Sequence, residues 1–258
     1  MSEEAVGFDA AIVRAGGRTI LGPVDLRVAA GDRWVFLGPN GGGKTTLLTL
    51  AGAWRQPSAG TVRVLGSTLG RVDVRELRRW IGHVSHAVAD RLRPAATVLD
   101  VVLTGKAAVL ETWWQDLGPS DRRRALDLLD EMGCRELADR PLGSCSLGER
   151  QRVLIARARF GQRPLLLFDE PAAGLDLPSR ERLLAAMAAV PAGTTTLLAT
   201  HHLEEIPPDV THAGLLRRGL VIASGPADEV LADGPLSDLF ELEVAVERRG
   251  DRWTARAR

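Results

Sequence analysis

The sequence predicts an α/β fold built on a mostly parallel sheet, and three observations predict it. The apolar run Arg33-Trp34-Val35-Phe36-Leu37 leads into a glycine-rich loop, and a helical run starting at Thr46-Leu47-Leu48 leaves that loop. A second run, Leu165-Leu166-Leu167-Phe168, is continuously apolar and ends in two carboxylates. Such a run suits a central parallel strand buried on both faces. Between the two, from about residue 87 to 145, the pattern turns helical, and the α/β alternation resumes at 146. A helical insert therefore interrupts the sheet.

In chain order, Phe8 to Val13 and Gly22 to Val28 read as short strands around a Gly16-Gly17 turn, an antiparallel β part ahead of the core. Gly31-Asp32 turns the chain into Arg33–Leu37. Thr61 to Leu65 alternates as a strand, and Gly82 to Ser85 forms another. Val98 to Leu103 and the amphipathic run Asp121 to Met132 are helices, the second with Ser120 as its N-cap. Leu147 to Phe160 is a helix, Leu165 to Phe168 a strand, Ser179 to Val190 a helix and Thr194 to Thr200 a strand. Ala213 to Ser224 is a hairpin turning at Arg218-Gly219, and Glu241 to Ala257 alternates around Gly250-Asp251 as a hairpin appendix.

Composition narrows the function classes. The 33 Lys plus Arg balance 33 Asp plus Glu. That argues against a nucleic-acid binder driven by bulk positive charge and makes nucleic acid an unfavoured partner. Cys134 and Cys145 are the only cysteines, too few for a disulfide framework, and they point to a reduced, cytoplasmic compartment. The acidic start Ser2-Glu3-Glu4 has no basic region followed by an apolar run, so no signal peptide is expected. No stretch reaches about 18 uninterrupted apolar residues. A membrane role must therefore come through a partner.

Gly38-Pro39-Asn40-Gly41-Gly42-Gly43-Lys44-Thr45 fits the phosphate-binding loop pattern, and it stands between a strand and a helix as that loop requires. Its glycines let consecutive backbone N–H groups turn inward around a polyphosphate, and the helix behind adds its positive end. Lys44 is placed to reach the β- and γ-phosphates of a nucleotide and the Thr45 hydroxyl to ligate Mg2+, with Thr46 beside them at the helix start. Lys44 and Lys106 are the only lysines in a chain otherwise rich in arginine. A compact ammonium suits a phosphate cradle in a way a planar guanidinium does not.

Asp169-Glu170 closes the apolar run Leu165–Phe168 at the carboxyl end of a strand, where open α/β sheets bind ligands. Asp169 can hold Mg2+ through water, and Glu170 can polarise a water for attack on the γ-phosphate.

Through these motifs the chain resembles the ATP-binding cassette (ABC) ATPases along essentially its whole length. Cys145-Ser146-Leu147-Gly148-Glu149-Arg150-Gln151-Arg152 looks like the family signature, Ala173-Gly174-Leu175-Asp176 like its D-loop, and His201 after Thr200 like its switch histidine. The resemblance implies a P-loop NTPase (RecA-like) core, one ABC ATPase domain over 1–258, with an inserted helical subdomain at 87–150 carrying the signature at its end and an appendix at 236–258. It implies ATP hydrolysis by a head-to-tail homodimer or paired ABC subunit. In that pair Ser146, Gly148 and Glu149 of one chain cap the ATP held by Gly38–Thr46 of the other, and His201 contacts the γ-phosphate. Transmembrane permease subunits are the implied partners, placing the chain at the inner face of the cell membrane. A soluble ABC ATPase acting in DNA repair or on ribosomes, and a low-turnover nucleotide-dependent dimer switch, are the alternatives.

Several positions depart from the family pattern. The chain has no Tyr, and Ala15 occupies the place of an adenine-stacking aromatic, so that either Arg14 stacks instead or adenine is weakly held. His86 stands where the lid glutamine should follow Gly82-His83-Val84-Ser85, and imidazole is a poorer ligand for hard Mg2+ than an amide oxygen. The signature has Leu147 and Glu149 where Gly and Gln are common, and His202 follows the switch histidine where Asp is frequent. His83, His86, His201 and His202 invite a metal-cluster reading, but no Cys or carboxylate spacing accompanies them. Trp113-Trp114 fits either a contact surface on the insert or a core pair. The arginines Arg248, Arg249, Arg252, Arg256 and Arg258 fit a solvated hairpin face better than a nucleic-acid contact. The runs Val101–Lys106, Gly148–Ala158 and His201–Pro208 look like an ABC subgroup labelled both molybdenum-transport ATPase and photorepair protein.

Overall fold

The computed structural model describes residues 4–107, 117–250 and 252–258, so Trp113-Trp114 lies outside the described residues. Backbone packing divides the chain into two units, Met1–Leu77 with Ala192–Arg258, and Arg78–Pro191.

The first unit opens with antiparallel strands in the order Arg18–Ala29, Glu4–Ala15, Ala59–Val64, Ser67–Thr68. The leading hairpin is longer than the apolar pattern predicts. Backbone pairing continues through Arg14↔Thr19 and Ala15↔Arg18, exposed residues that add nothing to the core. Gly16 and Gly17, at φ +55° and +75°, make the tight turn that right-twisted strands favour. Four more strands follow the order Leu220–Pro226, His212–Arg217, Arg33–Leu37, Thr195–Thr200. Arg33–Leu37 runs parallel to both neighbours, and Trp34 to Leu37 are buried, as its apolar run predicts. Helix Asp233–Phe240 precedes the C-terminal hairpin Val244–Arg249 and Arg252–Ala257. Its arginines pair with carboxylates, Arg248 with Asp228, Arg256 with Glu247 and Arg258 with Asp233.

In the second unit, Ile81–Ser85 and Leu165–Asp169 form a parallel pair. Helix Leu147–Phe160 packs against Val98–Leu103, Pro119–Glu131, Leu177–Ala188 and Ile81–Ser85. Gly82 permits that approach, because a Cβ there would stand 2.4 Å from Leu166 Cδ2 and 3.2 Å from Ala158 Cβ. The helix is buried almost all round from Gln151 to Phe160, including Arg152 and Arg157. Arg152 donates to Met132 O at 2.9 Å, Arg157 to Thr104 Oγ1 at 2.8 Å, and Arg163 to Ala158 O at 2.9 Å. Burial lowers the Arg157 and Arg163 guanidinium pKa values to about 10. Burial, reinforced by the charge on Arg157, lowers His83 to about 4. The His83 residue is only half-buried, yet both its ring nitrogens are out of solvent.

Helix Pro119–Glu131 corrects one expectation. Its N-cap is Gly118, not Ser120. Pro119 occupies the first helical position, which it favours, and the Asp121 carboxylate reaches back to accept from Gly118 N–H at 3.0 Å. Among the described residues no helix is long and apolar enough to cross a membrane.

Candidate functional site

The first unit carries the glycine loop. Strand Arg33–Leu37 delivers the chain to Gly38, and helix Lys44–Ala51 takes it away, two residues earlier than the apolar run suggested. The helix starts early because Gly43, at φ +107°, adopts a cap conformation closed to other residues, and its carbonyl accepts from Leu47 N–H at 2.9 Å. Gly38 is demanded by space, since a Cβ there would lie 2.0 Å from Leu216 O. Gly42 N–H bonds to Pro39 O at 3.0 Å and Gly219 N–H to Gly42 O at 3.0 Å, so the hairpin tip braces the loop. Lys44 is 3% exposed and donates to Gly38 O at 2.8 Å and Pro39 O at 3.1 Å, which holds its ammonium inside the loop's own curve. Thr45 is exposed, while Asn40 and Gly41 form the outer rim.

Leu37 pairs with Thr200 in parallel register. The loop and His201 therefore leave the same ends of adjacent strands. The His201 and His202 rings lie 4.0 Å apart by centroid. Arg14, offered by the sequence as an adenine platform, has an exposed side chain at the end of its strand, with its N–H bonded to Ser58 Oγ at 2.9 Å.

The second unit repeats this arrangement. Ser85 pairs with Asp169, so His86 and Glu170 also leave adjacent strand ends. Asp169 and Glu170 are half-buried. Glu170 turns off its strand at φ +47°, an uncommon conformation for a residue with a side chain and one found at functional turns. His86 opens the short helix His86–Ala89, capped by Ser85 Oγ accepting from Val88 N–H at 3.2 Å. His86 Nε2 lies 3.5 Å from Gln151 Nε2 on the signature helix, a contact that no local pattern of residues predicts.

Ser146 caps that helix. Its hydroxyl accepts from Glu149 N–H at 3.3 Å, and the Glu149 carboxylate accepts from Ser146 N–H at 2.7 Å. The second bond holds the Glu149 carboxyl below its ordinary pKa. Gly148 is needed for packing, because a Cβ there would stand 2.9 Å from Ser179 Cβ on helix Leu177–Ala188. Asp176 caps that helix by accepting from Ser179 N–H at 2.9 Å, and Ser179 lowers its pKa through side-chain and backbone bonds.

A family model described as ABC transporter matches residues 21–173, more than half of the chain. The chain belongs to this family. It is similar to the ABC transporter ATP-binding protein YlmA of Bacillus subtilis, with 37% identity covering 95% of this chain and 94% of that protein. It is also similar to the cobalt import ATP-binding protein CbiO of Rhodobacter capsulatus, with 34% identity covering 92% of this chain and 86% of that protein. A solved ABC transporter cassette in its ADP conformation superposes with a TM-score of 0.77 and 22% identity, over 93% of this chain and 99% of the other. The protein is thus an ABC ATPase of P-loop NTPase fold, an ATP-binding and ATP-hydrolysing transporter subunit.

Within this ABC ATPase, the first unit contains Gly38–Thr46 and His201, and the second contains His86, Ser146, Gly148, Glu149, Asp169 and Glu170. Among the described residues, no three His, Cys, Asp or Glu side chains converge as metal ligands.

Proposed function

We propose that this chain powers separate transmembrane permease subunits from the inner face of the membrane. It works as a head-to-tail pair in which each chain holds ATP on its own loop and caps the ATP of the other. The observation that supports the reading most is the strand register, which brings the phosphate loop with His201, and Asp169-Glu170 with His86, each to one pair of neighbouring strand ends. Gly38–Thr46 cradle the phosphates, with Lys44 neutralising charge on the β and γ oxygens. Thr45 offers an exposed hydroxyl and Asp169 a half-buried carboxylate, hard oxygen donors that fit Mg2+. The ion, when bound, offsets phosphate charge. His86 supplies a nitrogen where oxygen is preferred, so its part is to position water near the metal. Glu170 takes the proton of the attacking water, and His201 holds that water against the γ-phosphate. Ser146, Gly148 and Glu149 form the surface offered to the partner's nucleotide. The insert at 87–150 is the face for the permease, and 236–258 is an appendix to the core.

The relatives' printed roles include import of cobalt, hemin and phosphonates. Import is the direction these names favour, and they converge on no single substrate.

Glu170→Gln keeps the side-chain shape and removes the base. Turnover should fall about a hundred- to ten-thousandfold while ATP still binds, and Mg·ATP should trap a dimer visible by light scattering. A variant that binds ATP yet stays monomeric, or hydrolyses at the parent rate, contradicts the shared-site reading.

A further inference from the structure

We propose that Thr200 and Glu205 are positioning residues for His201, and that the C-terminal hairpin keeps their bond out of water. The inference rests on the reading of His201 as the γ-phosphate contact. Thr200 is fully buried and Glu205 is 4% exposed. Thr200 Oγ1 donates to Glu205 Oε2, and Thr200 Oγ1 in turn accepts from His202 N–H at 3.1 Å. Glu205 N–H in turn bonds to His202 O at 3.3 Å, and Ile206 N–H to Leu203 O at 3.1 Å. His201 therefore sits between Thr200, whose hydroxyl bonds the buried carboxylate, and His202, which bonds that hydroxyl and the Glu205 backbone. A strand end followed by a polar turn would otherwise leave its backbone free to swing.

The tie depends on dryness, because a hydrogen bond to a carboxylate is strongest where water cannot compete. Leu203 and Ile206 are buried on either side of Glu205. Strand Arg252–Ala257 packs against the turn Leu203–Glu205, with Trp253 only 3% exposed and the Arg248 guanidinium 4.4 Å above its ring. The appendix thus reaches the residues that hold the switch histidine.

The test compares single-turnover ATP hydrolysis and nucleotide affinity in Glu205→Ala, Glu205→Gln, Thr200→Val, Thr200→Ser and His201→Ala, and in Glu205→Ala combined with His201→Ala. Glu205→Ala and Thr200→Val should slow hydrolysis about ten- to a hundredfold. Their ATP affinity should stay within about twofold of the parent. Thr200→Ser should keep the parent rate, and Glu205→Gln, which retains an acceptor oxygen, should lose less than Glu205→Ala. Glu205→Gln also carries the test where Glu205→Ala does not fold. In the His201→Ala background, Glu205→Ala should cost nothing further, because both act through one group. Additive losses, or affinity falling in step with rate, overturn the proposal. Trp253→Ala should give a smaller loss of the same kind, and a parent rate there overturns the role of the hairpin. A His201→Ala variant at the parent rate removes the reading of His201 itself. An inactive His201→Ala beside a fully active Glu205→Ala overturns this inference alone.

Discussion

Helices Lys44–Ala51 and Leu147–Phe160 each leave first-turn N–H groups without partners inside the helix, and the chain finishes them in opposite ways. Gly43 caps the first without any side-chain bond, and no acidic residue stands in its first turn. Ser146 and Glu149 cap the second by a reciprocal pair of bonds, which places a carboxylate at the positive end of the helix. A phosphate cradle must admit an anion by itself, so it is built from backbone and a single ammonium. In the proposed pairing, the signature meets an anion only when a second chain brings one. Between such encounters its helix end is stabilised by its own side chains. The interiors differ as well: the second unit carries Arg152, Arg157, Arg163 and the His83 ring nitrogens out of solvent, the first Lys44 and Glu205.

The comparison breaks most readily at Lys44. If the loop binds through one buried ammonium, Lys44→Ala should cost about 1.5–3 kcal/mol, about ten- to a hundredfold in ATP affinity. Equilibrium nucleotide binding measures this. An unchanged affinity would mean that the backbone alone suffices and that Lys44 serves only Gly38 O and Pro39 O.

Acid should act on the second unit through His83. The folded pKa of about 4 lies below the unfolded value near 6.5. The unfolded chain therefore takes up a proton as pH falls through 6.5, while the folded chain refuses it until about pH 4. Stability is complete above 6.5 and declines below it, by about 2 kcal/mol at pH 5. Denaturant unfolding at pH 7.5 and 5, for the parent and His83→Gln, should give a smaller pH difference in the variant. Identical differences would show that His83 ionises as freely folded as unfolded.

The smallest effect belongs to Glu149. Glu149→Gln retains a capping side chain and removes the charge from the helix end. It should cost a few tenths of a kcal/mol in stability and strengthen ATP-driven pairing by about 0.3–1 kcal/mol, at most about fivefold. Sedimentation of Glu170→Gln with and without Glu149→Gln measures it. Weaker pairing in the double variant would mean that the carboxylate assists nucleotide capture.

Much of the fold was written in short-range pattern. Helices Val98–Leu103 and Leu147–Phe160 and strand Arg33–Leu37 have the limits their apolar periodicity predicts. Where the ends drifted, backbone bonding outran the apolar signal, as in the hairpin carried on to Ala15 and Arg18. At Gly118, a proline and a carboxylate three residues on outweighed the serine that propensity favoured.

The sequence by itself determined the phosphate loop, the Asp169-Glu170 pair and the Ser146–Glu149 run as motifs, because each needs only consecutive residues whose chemistry is local. Only the tertiary structure decided that Leu37 stands beside Thr200 and Ser85 beside Asp169, that His86 faces Gln151, and that strand Arg252–Ala257 covers the turn behind His201. The partners in these contacts lie far apart in the chain. They are selected by strand register and by which surfaces remain to be buried, and no local pattern of residue types encodes either.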